Sequence, residues 1–184
     1  MTYSALYNPI SINIDDVNRV HNSTERNKYP LGTIVILKEK TLFNGYLDPT
    51  MNGMYIWVES SDDFTKGQPF SVVNGFGIQS EVLAAPLSPV SSGAQIGFAQ
   101  IDNVIAGKYF FAKIAGNIEV DANEDVEEGK YVKVNIDNQN VELGNEDGDV
   151  IDSESLGGAR TSYSSGKANI LVIPNRLIQL KQDE

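Results

Sequence analysis

A near-repeat between Gly97 and Leu143 constrains this chain more than any other feature. Gly107-Lys108-Tyr109-Phe110 is echoed by Gly129-Lys130-Tyr131-Val132, and Asn117-Ile118-Glu119-Val120 by Asn140-Val141-Glu142-Leu143. Each copy reads as an apolar-rich run, a turn and a second run, which is the pattern of stacked β-hairpins. The period is about 22 residues in two copies, short of the ~3 repeats that a solenoid needs, so the pattern predicts hairpin duplication within a barrel.

The rest of the chain agrees. Thr33 to Lys38, Met54 to Val58 and Phe70 to Val73 are β-branched or aromatic runs. Asn44-Gly45, Asn52-Gly53, Asn74-Gly75 and Asp147-Gly148 are pairs that tolerate the positive φ of tight hairpins. Further strands are expected at Ile96–Gln100, Tyr109–Ala115, Ile118–Val120, Tyr131–Ile136 and Val141–Leu143. Ile170 to Ile173, wholly apolar, suits a central buried strand. The expected fold is all-β, a β-barrel or β-sandwich of hairpins with an extended N-terminal arm.

The expected organisation is an arm over residues 1–28, a first β unit over 29–79, a connector over 80–93 and a second β unit over 94–184. Residues 29–184 as one domain is the alternative. Ser80 to Ala85 has room for one helical turn before Pro86, Pro89 and Gly93 impose a linker-like path. Residues 144–168, rich in Gly, Ser and acids, read as a long mobile surface loop, and Leu177, Ile178 and Leu180 as a final strand or docked tail.

In the arm, Tyr3, Leu6, Tyr7, Ile10, Ile12 and Ile14 are apolar without helical spacing, and Ile10, Ile12 and Ile14 alternate as in a strand. Pro9 confines the segment to an edge or an irregular arm. Such a terminal segment docks either on its own domain or on a neighbouring subunit or partner. Residues 15–28 allow a short helix, capped by Asp15 or Asp16, with Val17 and Val20 inward, or a polar loop.

The chain of 184 residues is long enough to bury roughly 70% of its unfolded surface without staples. It has no cysteine, which removes disulfides, thiolate zinc sites and a cysteine nucleophile. Its formal charge of −11, with scattered basic residues, disfavours nucleic-acid binding and suits a solvated surface. No apolar run reaches the ~20 residues of a membrane span. The N-terminal residues lack the pattern of a secretory signal, so synthesis in a cytoplasm is expected.

The patterns of common catalytic and metal sites fail one by one. His21 is the single histidine and lies in a polar stretch. Asp121, Asn123 and Asp125 have the first spacings of a calcium loop, but Val126 replaces the required Gly and Val132 the bidentate Glu. The acids from Glu146 to Glu154 read as a solvated loop with at most loose calcium affinity. Gly157-Gly158 lacks the Lys and Ser/Thr of a phosphate loop. Glu119 and Glu142, equivalent in the two copies, resemble a glycosidase pair only by position and fit an alternating polar face. The expectation is no enzyme, no cofactor and no metal.

Tyr55, Trp57, Tyr109, Phe110, Phe111 and Tyr131 supply either a core or an aromatic face for sugar or protein. Tyr109 and Phe111 share one strand face with Phe110 opposite, so this strand is expected to be buried on both sides, by the fold or by a subunit interface.

Pro30-Leu31-Gly32-Thr33, Tyr55-Ile56-Trp57-Val58, Gly97-Phe98-Ala99-Gln100, Ala106 to Phe111, an Ala115-Gly116 turn, Val126 to Gly129 and Ile170 to Ile173 follow one another along the chain. In this order they resemble small virion structural proteins of tailed bacteriophages, of the capsid decoration (auxiliary or cement) type. The resemblance spans residues 30 to 175. It implies a β protein on the exterior of the capsid, made in the host cytoplasm, bound to the major capsid protein and often trimeric, with no enzymatic activity. The longer arm and the acidic loop near Asp147 depart from the pattern. The reading that follows is decoration, with Tyr3, Leu6, Tyr7, Ile10 and Ile12 as the partner-binding arm and Tyr109, Phe110 and Phe111 as interface aromatics in a homo-trimer. Nucleic acid and membrane are not expected partners. A carbohydrate- or receptor-binding head-fibre or adhesin module is the alternative.

Overall fold

The computed structural model describes residues 2–5, 8–13, 17, 24, 28–37, 42–43, 46–47, 53–74, 82–88, 95–145, 148–149, 151 and 154–173. Its elements are β-strands. They are β1 (Thr2–Ala5), β2 (Asn8–Asn13), β3 (Ile34–Leu37), β4 (Leu42–Phe43), β5 (Tyr46–Leu47), β6 (Gly53–Ser60) and β7 (Pro69–Asn74). After these come β8 (Val82–Ala85), β9 (Gln95–Phe98), β10 (Tyr109–Asp121), β11 (Tyr131–Asn135), β12 (Asn140–Leu143), β13 (Gly157–Ala159) and β14 (Lys167–Val172). The all-β expectation holds.

Five of these strands close a barrel in the order β6-β8-β7-β9-β10, with β10 returning to β6. Only the β6–β8 ladder in this ring is parallel. Ile56 and Val58 of β6, Phe70 and Val72 of β7, Val82 and Ala84 of β8, and Phe110, Ala112 and Ile114 of β10 fill it. Each Val, Ile or Phe among them contributes roughly 1.5–3 kcal/mol by leaving water. The strands alternate, so Tyr55, Trp57, Tyr109 and Phe111 point outward and pack with Tyr29, Val35 and Leu37 beneath β3. The Trp57 ring lies 4.9 Å from Phe111 and 5.2 Å from Tyr29, centroid to centroid.

The second unit grows out of the same strand. β10 runs for 13 residues; Tyr109 to Gly116 pair with β6, and Gly116 to Asp121 pair with β14. The ladder continues β14-β13-β11-β12. A parallel bridge between Ala122 and Val141 brings β12 back to the end of β10. Ile118, Val120, Val132, Val141, Leu156 and Ile170 fill this second core. Ile96 and Phe98 of β9 also belong to it, although Gly97 between them faces Phe70 and Val72 inside the barrel. β10 therefore supplies side chains to both cores, whereas β9 pairs within the barrel but sends its apolar side chains to the second core.

Several expectations change. Ala115-Gly116 is not a turn; a register shift between Lys113 and Ala115 and a φ of 100° at Gly116 carry β10 through the point where it changes partners. The first copy of the near-repeat is thus one strand, and only the second is a hairpin, β11–β12. Val82 to Ala85 is a barrel strand rather than a helical turn, because Val82 and Ala84 have a core to enter. Within 144–168 lies β13, a strand with neighbours on both sides, where a loop was expected. Ile170 to Ile173 is buried on one face only: Ile170 and Val172 point inward, whereas Leu171 and Ile173 are 37% exposed. The arm is a hairpin of β1 and β2 forming its own sheet.

The helix or loop expected over 15–28 lies outside the described residues except Val17, Thr24 and Lys28, of which Val17 is buried. His21, residues 75–81, Glu146-Asp147 and the expected tail with Leu177, Ile178 and Leu180 also lie outside them.

Candidate interaction surface

A sheet edge exposes unpaired amides and carbonyls, so how each edge is managed indicates where another chain can add. A closed barrel removes most edges here. Two remain at the ends of the ten-stranded ladder, β12 and β3.

The β12 edge is guarded. The amide of Asn123 donates to the Val141 carbonyl at 2.7 Å. Glu142 on β12 accepts from Asn135 Nδ2 at 2.5 Å and pairs with Lys133 at 3.4 Å. Covering chain and charge together suppress further pairing.

The β3 edge has the opposite character. β3 pairs with β6 through Ile34↔Ile56, Val35↔Tyr55, Ile36↔Met54 and Leu37↔Gly53. The Trp57 amide donates to the Thr33 carbonyl at 2.9 Å. In an antiparallel ladder, bonded and non-bonded residues alternate. Val35 and Leu37 therefore turn their amides and carbonyls to β6, while those of Ile34 and Ile36 face away from it. The side chains of Ile34 and Ile36 are each 36% exposed, whereas Val35 and Leu37 are buried. Among the described residues, backbone without a second ladder partner and accessible isoleucine thus coincide on one edge.

The N-terminal hairpin comes close to β3. β1 comes within 8 Å of β3 between Cα atoms, yet its ladder partner is β2. Tyr3 stands opposite Ile12 in that ladder, and Ile10 lies on β2. Leu6 and Tyr7 lie outside the described residues.

The expected interface aromatics are elsewhere. Phe110 is in the barrel, and Tyr109 and Phe111 are in the aromatic cluster outside it, all buried by the chain's own residues. Of the two explanations for burial on both faces, the fold suffices. Tyr55 and Trp57 are buried too, leaving Tyr131 as the partly exposed member of the proposed aromatic face. Glu119 forms a surface pair with Lys66 at 3.5 Å, whereas Glu142 sits at the β12 edge, so the two carboxylates have separate partners. Among the described residues no group of three or more His, Asp or Glu side chains is placed to hold a metal ion.

Sequence reasoning missed Ile34 and Ile36. The signal was present: Ile34-Val35-Ile36-Leu37 is apolar at every position, although a strand covered on one face needs apolar residues only at alternate ones.

No protein-family model and no curated protein matches the sequence. Among solved structures, the chain is similar to the N base of the head fiber gp8.5 of bacteriophage phi29, with a TM-score of 0.45 and 12% identity over 71% of this chain and 98% of that one.

Proposed function

We propose that this chain is a capsid decoration protein of a tailed bacteriophage, which binds the outer lattice of the major capsid protein as a homo-trimer and reinforces the head. Its role is mechanical rather than enzymatic. The β units bridge capsid subunits, and the arm of residues 1–14 clamps onto a neighbour.

The observation that carries this reading is the pairing of a separate N-terminal hairpin with an open apolar edge beside it. A two-stranded hairpin is marginal by itself in water and gains stability by packing on something. The order of sequence motifs supports the phage assignment, and the formal charge of −11 suits the outside of a shell better than its DNA-filled inside. Weak contacts from each copy of a symmetric oligomer add through effective concentration. The adhesin alternative draws little support from the aromatics, because Tyr55, Trp57, Tyr109, Phe110 and Phe111 are in the cores.

Removing residues 1–14 tests the clamp. The shortened chain is expected to keep the buried environment of Trp57 and to lose occupancy on capsids. Undiminished occupancy by the shortened, folded chain would rule the clamp out.

A further inference from the structure

We infer that the arm is held in reserve: in the free chain the β1–β2 hairpin docks on β3 of its own chain and shields Ile34 and Ile36, and it leaves them only for the neighbour it clamps. This concerns the regulation of the clamp and rests on that reading of the arm.

The connection from the hairpin to the barrel fixes where the arm stays. Val17 and Tyr29 are both buried, and both belong to the aromatic cluster beneath β3. The Tyr29 ring meets Trp57 edge-on at 5.2 Å and lies 5.4 Å from Phe111. Backbone bonds hold the next residues. The Gly32 amide donates to the Trp57 carbonyl at 2.9 Å, and the Thr33 amide and hydroxyl donate to the Pro30 carbonyl at 3.0 and 2.6 Å. The hairpin ends at Asn13, so four residues separate it from its buried anchor at Val17. Four residues span at most about 14 Å.

A tether that short gives the hairpin an effective concentration on the order of millimolar at its own β3. β1 comes within 8 Å of β3 between Cα atoms. β6 takes one side of β3 and the aromatic cluster takes one face, which leaves β1 the other edge and the face of Ile34 and Ile36. Covering an edge keeps it from pairing with another chain. Ile34 and Ile36 stay 36% exposed, a partial cover that a better contact can displace.

The anchor also sets what the released arm can reach. β2 has six residues and is about 17 Å long. Pivoting on Val17, the hairpin reaches a partner roughly 30 Å away while Val17 and Tyr29 stay in the cluster. Docking at β3 and clamping a neighbour draw on the same short hairpin. The neighbour therefore binds the released arm and shifts the population toward it.

The chain has no cysteine, so thiols can be placed in pairs. Ser4→Cys/Ile36→Cys and Ala5→Cys/Ile36→Cys are each treated, at high dilution, with a bis-maleimide that carries a disulfide in its spacer. A cross-link within one chain is expected. The locked chain should lose its binding to phage heads assembled without it, and reduction of the spacer should restore that binding. Without any cross-link, removal of residues 1–14 is expected to speed hydrogen exchange at the Ile34 and Ile36 amides while Trp57 stays buried. A locked chain that binds heads as well as the reduced one overturns the reserve. So does exchange at Ile34 and Ile36 that the deletion leaves unchanged, or a cross-link that forms only between chains. Failure of the unmodified chain to bind heads, with the within-chain cross-link and the faster exchange both present, overturns the clamp instead and leaves the docked arm standing.

Discussion

Phe64 and Val104 exchange both backbone hydrogen bonds, at 3.0 and 2.8 Å, and both side chains enter the barrel core. Each precedes a turn of the same construction. The Gln68 amide donates to Thr65, Lys108 to Ile105 and, in a third copy after Val126, Lys130 to Glu127. Gly67, Gly107 and Gly129 hold the equivalent left-handed position, with φ of 92°, 73° and 85°. Two copies meet at the end of the barrel and the third serves the second unit.

The three glycines are not equally replaceable. Nothing stands within 4 Å of a Cβ built on Gly107 or Gly129, whereas one on Gly67 meets Lys167 Nζ at 2.8 Å and the Asp121 amide nitrogen at 3.1 Å. Alanine at 107 or 129 should therefore cost about 1 kcal/mol in backbone strain alone. At 67 the crowding adds to that cost. Urea midpoints of the three variants check the order, with Gly67→Ala the lowest.

Gly157 and Gly158 are neighbours with opposite tolerances. A Cβ on Gly157 would lie 1.9 Å from the Leu171 carbonyl oxygen, whereas one on Gly158 finds its nearest atom, the Lys130 carbonyl oxygen, at 3.9 Å. Gly157→Ala must force β13 away from β14 and should cost about 3 kcal/mol. Gly158→Ala should stay within about 0.5 kcal/mol of the parent. Thermal unfolding of the pair distinguishes them directly.

Much of this architecture was legible in the sequence. The runs from Thr33, Met54, Phe70, Tyr109 and Tyr131 became strands because β-branched and aromatic residues there have cores to enter. The echo of Gly107 in Gly129 marked a real structural equivalence, and the third copy, Gly67-Gln68-Pro69-Phe70, was hidden by replacement of Lys and Tyr. What stayed hidden depended on distant partners. Gly157-Gly158 looks like loop until the close approach of Leu171 explains it. Ala115-Gly116 looks like a turn because nothing local shows that β10 changes neighbours there. The open edge at Ile34 and Ile36 emerges only once β6 is known to cover one side of β3.

Because β10 feeds both cores, and β9 pairs within the barrel while Ile96 and Phe98 enter the second core, the two β units should unfold together. Trp57 reports on the cluster outside the barrel, and far-ultraviolet circular dichroism on the whole sheet. Their urea transitions are expected to coincide, as for a single cooperative unit. Separate midpoints would show that β10 links two independent domains.

Lys167 fastens the barrel's first turn to the second unit. Its ammonium donates to the Lys66 carbonyl at 2.6 Å and to Asp121 Oδ1 at 2.5 Å. The side chain is 37% exposed, so the charge is partly screened. Lys167→Met should cost about 1 kcal/mol. A double-mutant cycle with Asp121→Asn should recover a coupling of about 0.5 kcal/mol.

The most direct measurement of the central claim is binding of the full purified chain to phage heads assembled without it from the genome that encodes it. Co-sedimentation is expected to saturate at a fixed number of copies per head, and the decorated heads should resist heat better than bare ones. Heads that sediment without the chain at all concentrations, and melt unchanged in its presence, would contradict the decoration account.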